Sequence, residues 1–187
     1  MRIILMGPPG AGKGTQATIV SRHFAIPHIS SGEIFRRNMK ANTELGLAAR
    51  AYIDQGDYVP DDITNSMIHD RLAQPDAAHG FLLDGYPRTL DQINSLDLTL
   101  DELQQKLDAV VEMTADPEEV VHRLLARAEV EGRSDDNDAV IRNRLVVYHQ
   151  QTAPLTRVYE DRGLLIRVDA LGTIDEVTNR ILETLQV

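Results

Sequence analysis

Five short runs of apolar residues stand apart along the chain: RIILM at 2–6, IPHIS at 26–30, GFLLD at 80–84, LDAVVEM at 107–113 and LLIRVDA at 164–170. The strongest of them do not alternate with polar residues, as a strand with one wet face would. Near-continuous apolar runs of this length fit parallel strands covered on both faces. Between them the spacing changes to that of helices. Segments 13–24, 32–40, 43–56, 60–74, 115–127, 138–162 and 173–185 carry it, with a short helix expected at 89–96. Their ends carry capping signals. Ser30 with Glu33, Asp116 with Pro117 and Glu119, and Thr173 with Glu176 read as capping boxes. Asp61 or Asp62 is the expected cap of the fourth helix, and Gly56 the stop of the third. Pro154 lies inside the long 138–162 pattern, where it should bend the helix.

Strands alternating with helices predict an α/β fold: a doubly wound parallel sheet, helices on both faces, and ligands at the strand C-terminal ends. The 187 residues suffice for one substantial core. Residues 30–73 are largely helical between two strands, more than one crossover requires, so part of that stretch should be an inserted flap.

Composition narrows the class. Hydrophobic residues make up 42% of the chain, and no apolar run approaches the ~18 residues that span a bilayer. With the first strand expected at residue 2, no basic-then-apolar leader precedes it, and the cytoplasm is the expected setting. There is no cysteine, which excludes disulfides and Cys-ligated zinc. The six histidines, at 23, 28, 69, 79, 122 and 149, form no metal-binding spacing and read as structural or solvated. A net charge of −10 argues against a general nucleic-acid binder. Of the 19 basic residues all but Lys13, Lys40 and Lys106 are arginine, whose planar fork suits phosphate.

The chemistry begins at GPPGAGKGT, residues 7–15. Glycines free backbone N–H groups to turn toward phosphate oxygens, Lys13 reaches the terminal phosphates, and the following helix points its positive end at the same anion. Gly14 stands where a P-loop usually has Ser or Thr, and Thr15 follows it. The second constellation is LLDGYPRT, in which Asp84 ends a strand. There an acid can hold Mg²⁺ through water beside a P-loop. Arg88, four residues on, is within reach of a phosphate.

GPPGAGKGTQA, ISSGEIFR, GFLLDGYPRTLDQ, RNRLVVYHQQTAPL and VDALG together resemble adenylate kinases, in register from 7 to about 177. DGYPR behind this P-loop is specific to nucleoside monophosphate kinases. The resemblance implies a single kinase domain over 1–187, with a monophosphate-binding flap at about 30–59 and a short lid at about 127–137. It also implies transfer of the γ-phosphoryl of Mg·ATP to AMP, giving two ADP, by a monomer that needs neither zinc, nucleic acid nor membrane.

Carried across by position, Gly10, Ala11, Gly12, Lys13, Gly14 and Thr15 bind ATP phosphates, with Arg127 and the main chain of Gly172 completing that site. Ser31, Arg36, the main chain at Asp57, Tyr58 and Val59, the loop Gly85, Tyr86, Pro87 and Arg88, and the amide of Gln92 serve AMP. Lys13, Arg88, Arg123, Arg133 and Arg144 surround the transferred group, with Arg133 and Arg144 also reaching AMP. Arg142, two residues from Arg144, should point elsewhere. Tyr148 and Tyr159 read as core. Only AEVEG separates Arg127 from Arg133, so the chain resembles the short-lid form. The nearest alternative is a UMP/CMP kinase of the same fold, which carries Asn in place of Gln92. A more distant one is a nucleotide switch, for which an N-K-x-D stretch would be expected and is not found.

Overall fold

A computed structural model describes residues 1–131 and 137–185; for Pro117 and 126–131 the backbone alone is described. Five parallel strands, β1 (Arg2–Met6), β2 (His28–Ser30), β3 (Phe81–Asp84), β4 (Ala109–Thr114) and β5 (Leu165–Asp169), form one sheet in the order β2-β3-β1-β4-β5. The expected doubly wound sheet is the one observed. β1 lies at its centre, with Leu5 in register with Asp84 on one side and Val111 on the other. The glycine-rich loop and the strand-ending acid therefore emerge side by side.

Burial on both faces explains the unbroken apolar runs. Ile3 and Leu5 join Leu82, Val111, Val177 and Ile181 in one core cluster, while Ile4 and Met6 join Leu83, Val110, Ile93 and Tyr159 in the other. Successive side chains of a strand point to opposite faces, so each strand feeds both layers.

The helices are α1 (Lys13–His23), α2 (Ser31–Ala41), α3 (Glu44–Ile53), α4 (Asp61–Leu72), α5 (Leu90–Glu102), α6 (Pro117–Glu131), α7 (Asp138–Val147), α8 (Leu155–Asp161) and α9 (Ile174–Leu185). At α9 the expected box forms, Thr173 and Glu176 bonding each other reciprocally, and at α2 Glu33 N donates to Ser30 Oγ, the cap half of the box. At α6, Asp116 accepts from the N–H groups of Glu118 and Glu119, but the Glu119 carboxylate turns away to Arg123.

Three expectations need correction. First, α5 runs 13 residues rather than one short stretch, because Ile93, Leu96 and Leu100 continue its buried stripe. Second, neither Asp61 nor Asp62 caps α4: Pro60 is the cap residue and makes no side-chain cap bond, while Asp61 bonds Thr89 and Gln92 instead. Third, the long helix is reorganised before Pro154. A π-helical turn spans Tyr148–Thr152, and Ala153 N bonds back to Tyr148 O. Proline has no N–H for the helix ladder, and widening the preceding turn accommodates that loss.

Candidate active site

The glycine-rich loop leaves β1 and ends at Gly12, which caps α1 at φ +87°. That conformation is strained for any residue with a Cβ, and a Cβ placed there would meet nothing within 4 Å. The backbone is thus bent around open space at a helix N-terminus, the arrangement that receives phosphate. Lys13 reaches back over the loop, and its Nζ donates to the carbonyls of Gly7 at 2.8 Å and Pro8 at 2.9 Å. These contacts hold the ammonium at the loop's mouth.

Asp84 sits beside this loop, its Oδ2 3.9 Å from where a Cβ on Gly14 would lie. Burial pushes its carboxyl up. The bond with His28 and the charges of Lys13, His28 and Arg88 outweigh that and hold it below the usual carboxylate value. His28 Nε2 lies 3.4 Å from Asp84 Oδ2. From the sequence His28 reads, with the other histidines, as structural or solvated. Its bond to this acid depends on β2 lying beside β3, with Ser30 in register with Asp84, a pairing without a sequence signature.

The DGYPR turn supplies the second half. Gly85, at φ +75°, turns the chain where a Cβ would crowd the Arg88 guanidinium and the Ser31 hydroxyl. Both groups donate to its carbonyl, each at 2.7 Å. The Arg88 guanidinium lies 5.0 Å over the Tyr58 ring, a cation–π distance. The Tyr86–Pro87 peptide is cis. Arg88 is held through its main chain as well: its N–H donates to Gln92 Oε1 and its carbonyl accepts from Thr152 Oγ1. Thr152 was not anticipated. It sits in the π-helical turn, and such turns occur often at functional sites. Pro154 inside a helical pattern was the available signal.

Lys13 and the DGYPR turn open on one cleft of about 970 Å³, open solvent included, which Asp84 and His28 do not line. Lys13, Ser31, Arg36, Asp57, Tyr58, Val59, Gly85, Tyr86, Pro87, Arg88, Gln92 and Arg144 all line it, and so does Tyr148, which sequence reading assigned to the core alone. The Asp57 side chain accepts from Asn143 of α7. A second recess is lined by Ala11, Gly12, Thr15, Arg123 and Gly172, together with the unforeseen Gln16 and Thr173. Arg123 there donates to Glu119 Oε1 and to Ala170 O. Gly10 and Gly14 line neither space; Gly10 packs on α6, where a Cβ would meet the Val120 carbonyl at 2.8 Å. Arg142 pairs with Asp138 at the surface, away from the cleft. The Arg127 side chain and Arg133 lie outside the described residues.

A lysine-bearing glycine loop on a central parallel strand, an acid one strand away and an arginine-rich cleft between them define a P-loop nucleotide-binding protein of the phosphoryl-transfer type. The adenylate kinase family model matches residues 5–164. Curated relatives agree along the whole chain. An adenylate kinase of Thermobifida fusca is 56% identical over 186 residues, covering 100% of this chain and 98% of its own. Adenylate kinases of Nocardioides sp. and Pseudarthrobacter chlorophenolicus are 54% and 52% identical, over 100% and 99% of this chain and 98% and 96% of theirs. The chain belongs to the adenylate kinase family.

Proposed function

We propose that the protein transfers the γ-phosphoryl of ATP to AMP, yielding two ADP, with ATP on the glycine loop and AMP in the large cleft. One observation carries the assignment of sites: the AMP-side residues Ser31, Arg36, Arg88 and Gln92 line a single cleft together with Lys13 of the loop. Two phosphate-binding elements that open on one space can bring donor and acceptor phosphates into line.

No protein nucleophile is needed. An oxygen of the AMP phosphate attacks the γ-phosphorus, the bond to the β–γ bridging oxygen breaks, and ADP leaves as the second ADP forms. The residues act by position and charge. Lys13 neutralises charge on the β and γ groups. Arg88, Arg36 and Arg144 hold the AMP phosphate, and Arg123 faces the ATP recess. The Gln92 amide reads the adenine edge beside Val59. A hydrated magnesium ion fits the buried, ionised Asp84, an oxygen donor of the kind hard cations prefer. When bound, such an ion neutralises charge on the β- and γ-phosphate oxygens.

Residues 30–59 form the flap in this reading. Phe35, Ala49 and Val59 make a small core of their own, joined to one sheet-face cluster through Met67, which supports a semi-independent unit. Of the lid at 127–137, residues 132–136 lie outside the described residues, and the backbone of 127–131 continues α6. No described helix is long and apolar enough to cross a membrane. The same reading makes the enzyme a cytoplasmic monomer, in keeping with its composition.

A coupled assay of ADP formation from ATP with AMP, CMP, UMP or GMP tests the assignment. AMP should be preferred by orders of magnitude, because a buried amide paired to one base is left unpaired with another. A preference for UMP or CMP would overturn it.

A further inference from the structure

The Gln92 side chain is 2% exposed and is not free to turn. Its Nε2 donates to Asp61 Oδ1 at 2.7 Å, and its Oε1 accepts from the Arg88 N–H at 2.7 Å. A carboxylate only accepts and a backbone N–H only donates. The two partners therefore fix which end of the amide is nitrogen and which is oxygen. Asp61 is itself anchored, since its Oδ2 accepts from Thr89 Oγ1 at 2.7 Å. Thr89 in turn caps α5 by accepting from the Gln92 N–H. The loop closes on itself: the residue that caps the helix also holds the acid that holds the amide.

An amide that turns by 180° exchanges its donor and acceptor. A freely turning Gln92 could match a 6-amino purine or a 6-oxo purine equally well. Adenine offers a donor at its 6-amino group beside an acceptor at N1; hypoxanthine offers an acceptor at O6 beside a donor at N1. After its two protein bonds the locked amide retains one N–H and one lone pair, in one fixed order.

We infer that Asp61 is a specificity-determining positioning residue: it holds the Gln92 amide in the single orientation that accepts a 6-amino purine monophosphate and rejects a 6-oxo one. This rests on the reading that Gln92 faces the base. Asp61 acts through Gln92 and does not line the cleft.

The test compares kcat/KM for AMP and for IMP, with saturating ATP, in the full-length enzyme and its variants. Asp61→Ala removes the acceptor, leaves the Arg88 N–H as the amide's remaining described anchor and so weakens its hold on one orientation. The AMP-to-IMP ratio should then fall about ten-fold or more, mainly through KM, because base discrimination rests on unpaired buried groups. Asp61→Asn loses the same charge from the first turn of α4 but keeps an acceptor for Gln92, and should hold the ratio within about three-fold. In a Gln92→Ala background, Asp61→Ala should change the ratio no further.

If Asp61→Ala proves too unstable to assay, hydrogen exchange of the Gln92 side-chain amide in Asp61→Asn serves instead: protection like the parent's supports the lock, and free exchange overturns it. An unchanged ratio in Asp61→Ala while Gln92→Ala collapses it overturns the inference and leaves the base reading intact. Equal losses in Asp61→Ala and Asp61→Asn also overturn it, since charge and not the acceptor would matter. A Gln92→Ala enzyme with the parent's ratio and AMP KM removes the base reading, and the inference with it.

Discussion

Thr152→Val changes little but a hydroxyl. Thr152 is 5% exposed. Its Oγ1 donates to the Arg88 carbonyl at 2.9 Å and lies 2.7 Å from the Tyr58 hydroxyl. With its own hydrogen directed at Arg88, Thr152 Oγ1 must accept from Tyr58. Valine keeps the volume and loses both bonds. At about 1 kcal/mol net for each bond, the substitution should cost about 2 kcal/mol. For a chain of 187 residues that lowers Tm by about 4–8 °C. Function should respond as well, because the Arg88 main chain is pinned at its N–H by Gln92 and at its carbonyl by Thr152. If about 1 kcal/mol of that positioning is lost from AMP binding, KM for AMP rises about five-fold. KM for ATP should move far less. Urea titration followed by circular dichroism reads the first effect and the coupled assay the second. Tyr58→Phe removes one of the two bonds and should cost about half as much alone, but nothing further in the Thr152→Val background. A Thr152→Val enzyme within about 0.5 kcal/mol of its parent would refute the reasoning, as would a Tyr58→Phe cost that is the same in both backgrounds.

Lys13→Met should reduce kcat by about two orders of magnitude or more while leaving the urea midpoint nearly unchanged, since preorganised charge dominates this chemistry; near-parental kcat would contradict the role given to Lys13. Asp84 is held below its ordinary pKa of 3.8, so the unfolded chain takes up its proton first as pH falls. Its contribution to stability should be whole above about pH 4 and lost as pH drops through the folded value. The stability difference between the parent and Asp84→Asn should therefore shrink below about pH 4 in urea titrations; a difference that grows there on further acidification would mean that the carboxyl is raised, not lowered.

Much of the molecule follows from local pattern. RIILM, GFLLD and LDAVVEM have too few polar positions for a strand with a wet face, so the covered parallel sheet was readable without coordinates. The glycine loop was equally legible, because its residues act through backbone conformation and sit consecutively. The capping pairs at Ser30 and Thr173 belong to the same category: each is a bond across three residues.

What escaped local reading depends on residues distant in the chain. Asp61 has the right chemistry and position to cap α4, and the competing partners that draw it away, Thr89 and Gln92, lie about 30 residues further on. Thr89 and Gln92 do match the Thr-x-x-Gln spacing of a capping box, yet the glutamine side chain spends its bonds on Arg88 and Asp61. His28 meets Asp84 only because β2 pairs with β3, and Thr152 meets Arg88 only because the chain widens ahead of Pro154 and returns across the cleft. A short-range bond needs only a few dihedral angles to be right, so its pattern survives in a linear string. A bond across 56 or 64 residues is chosen among many competing partners by how the sheet and helices pack, and that choice exists only once the fold has formed.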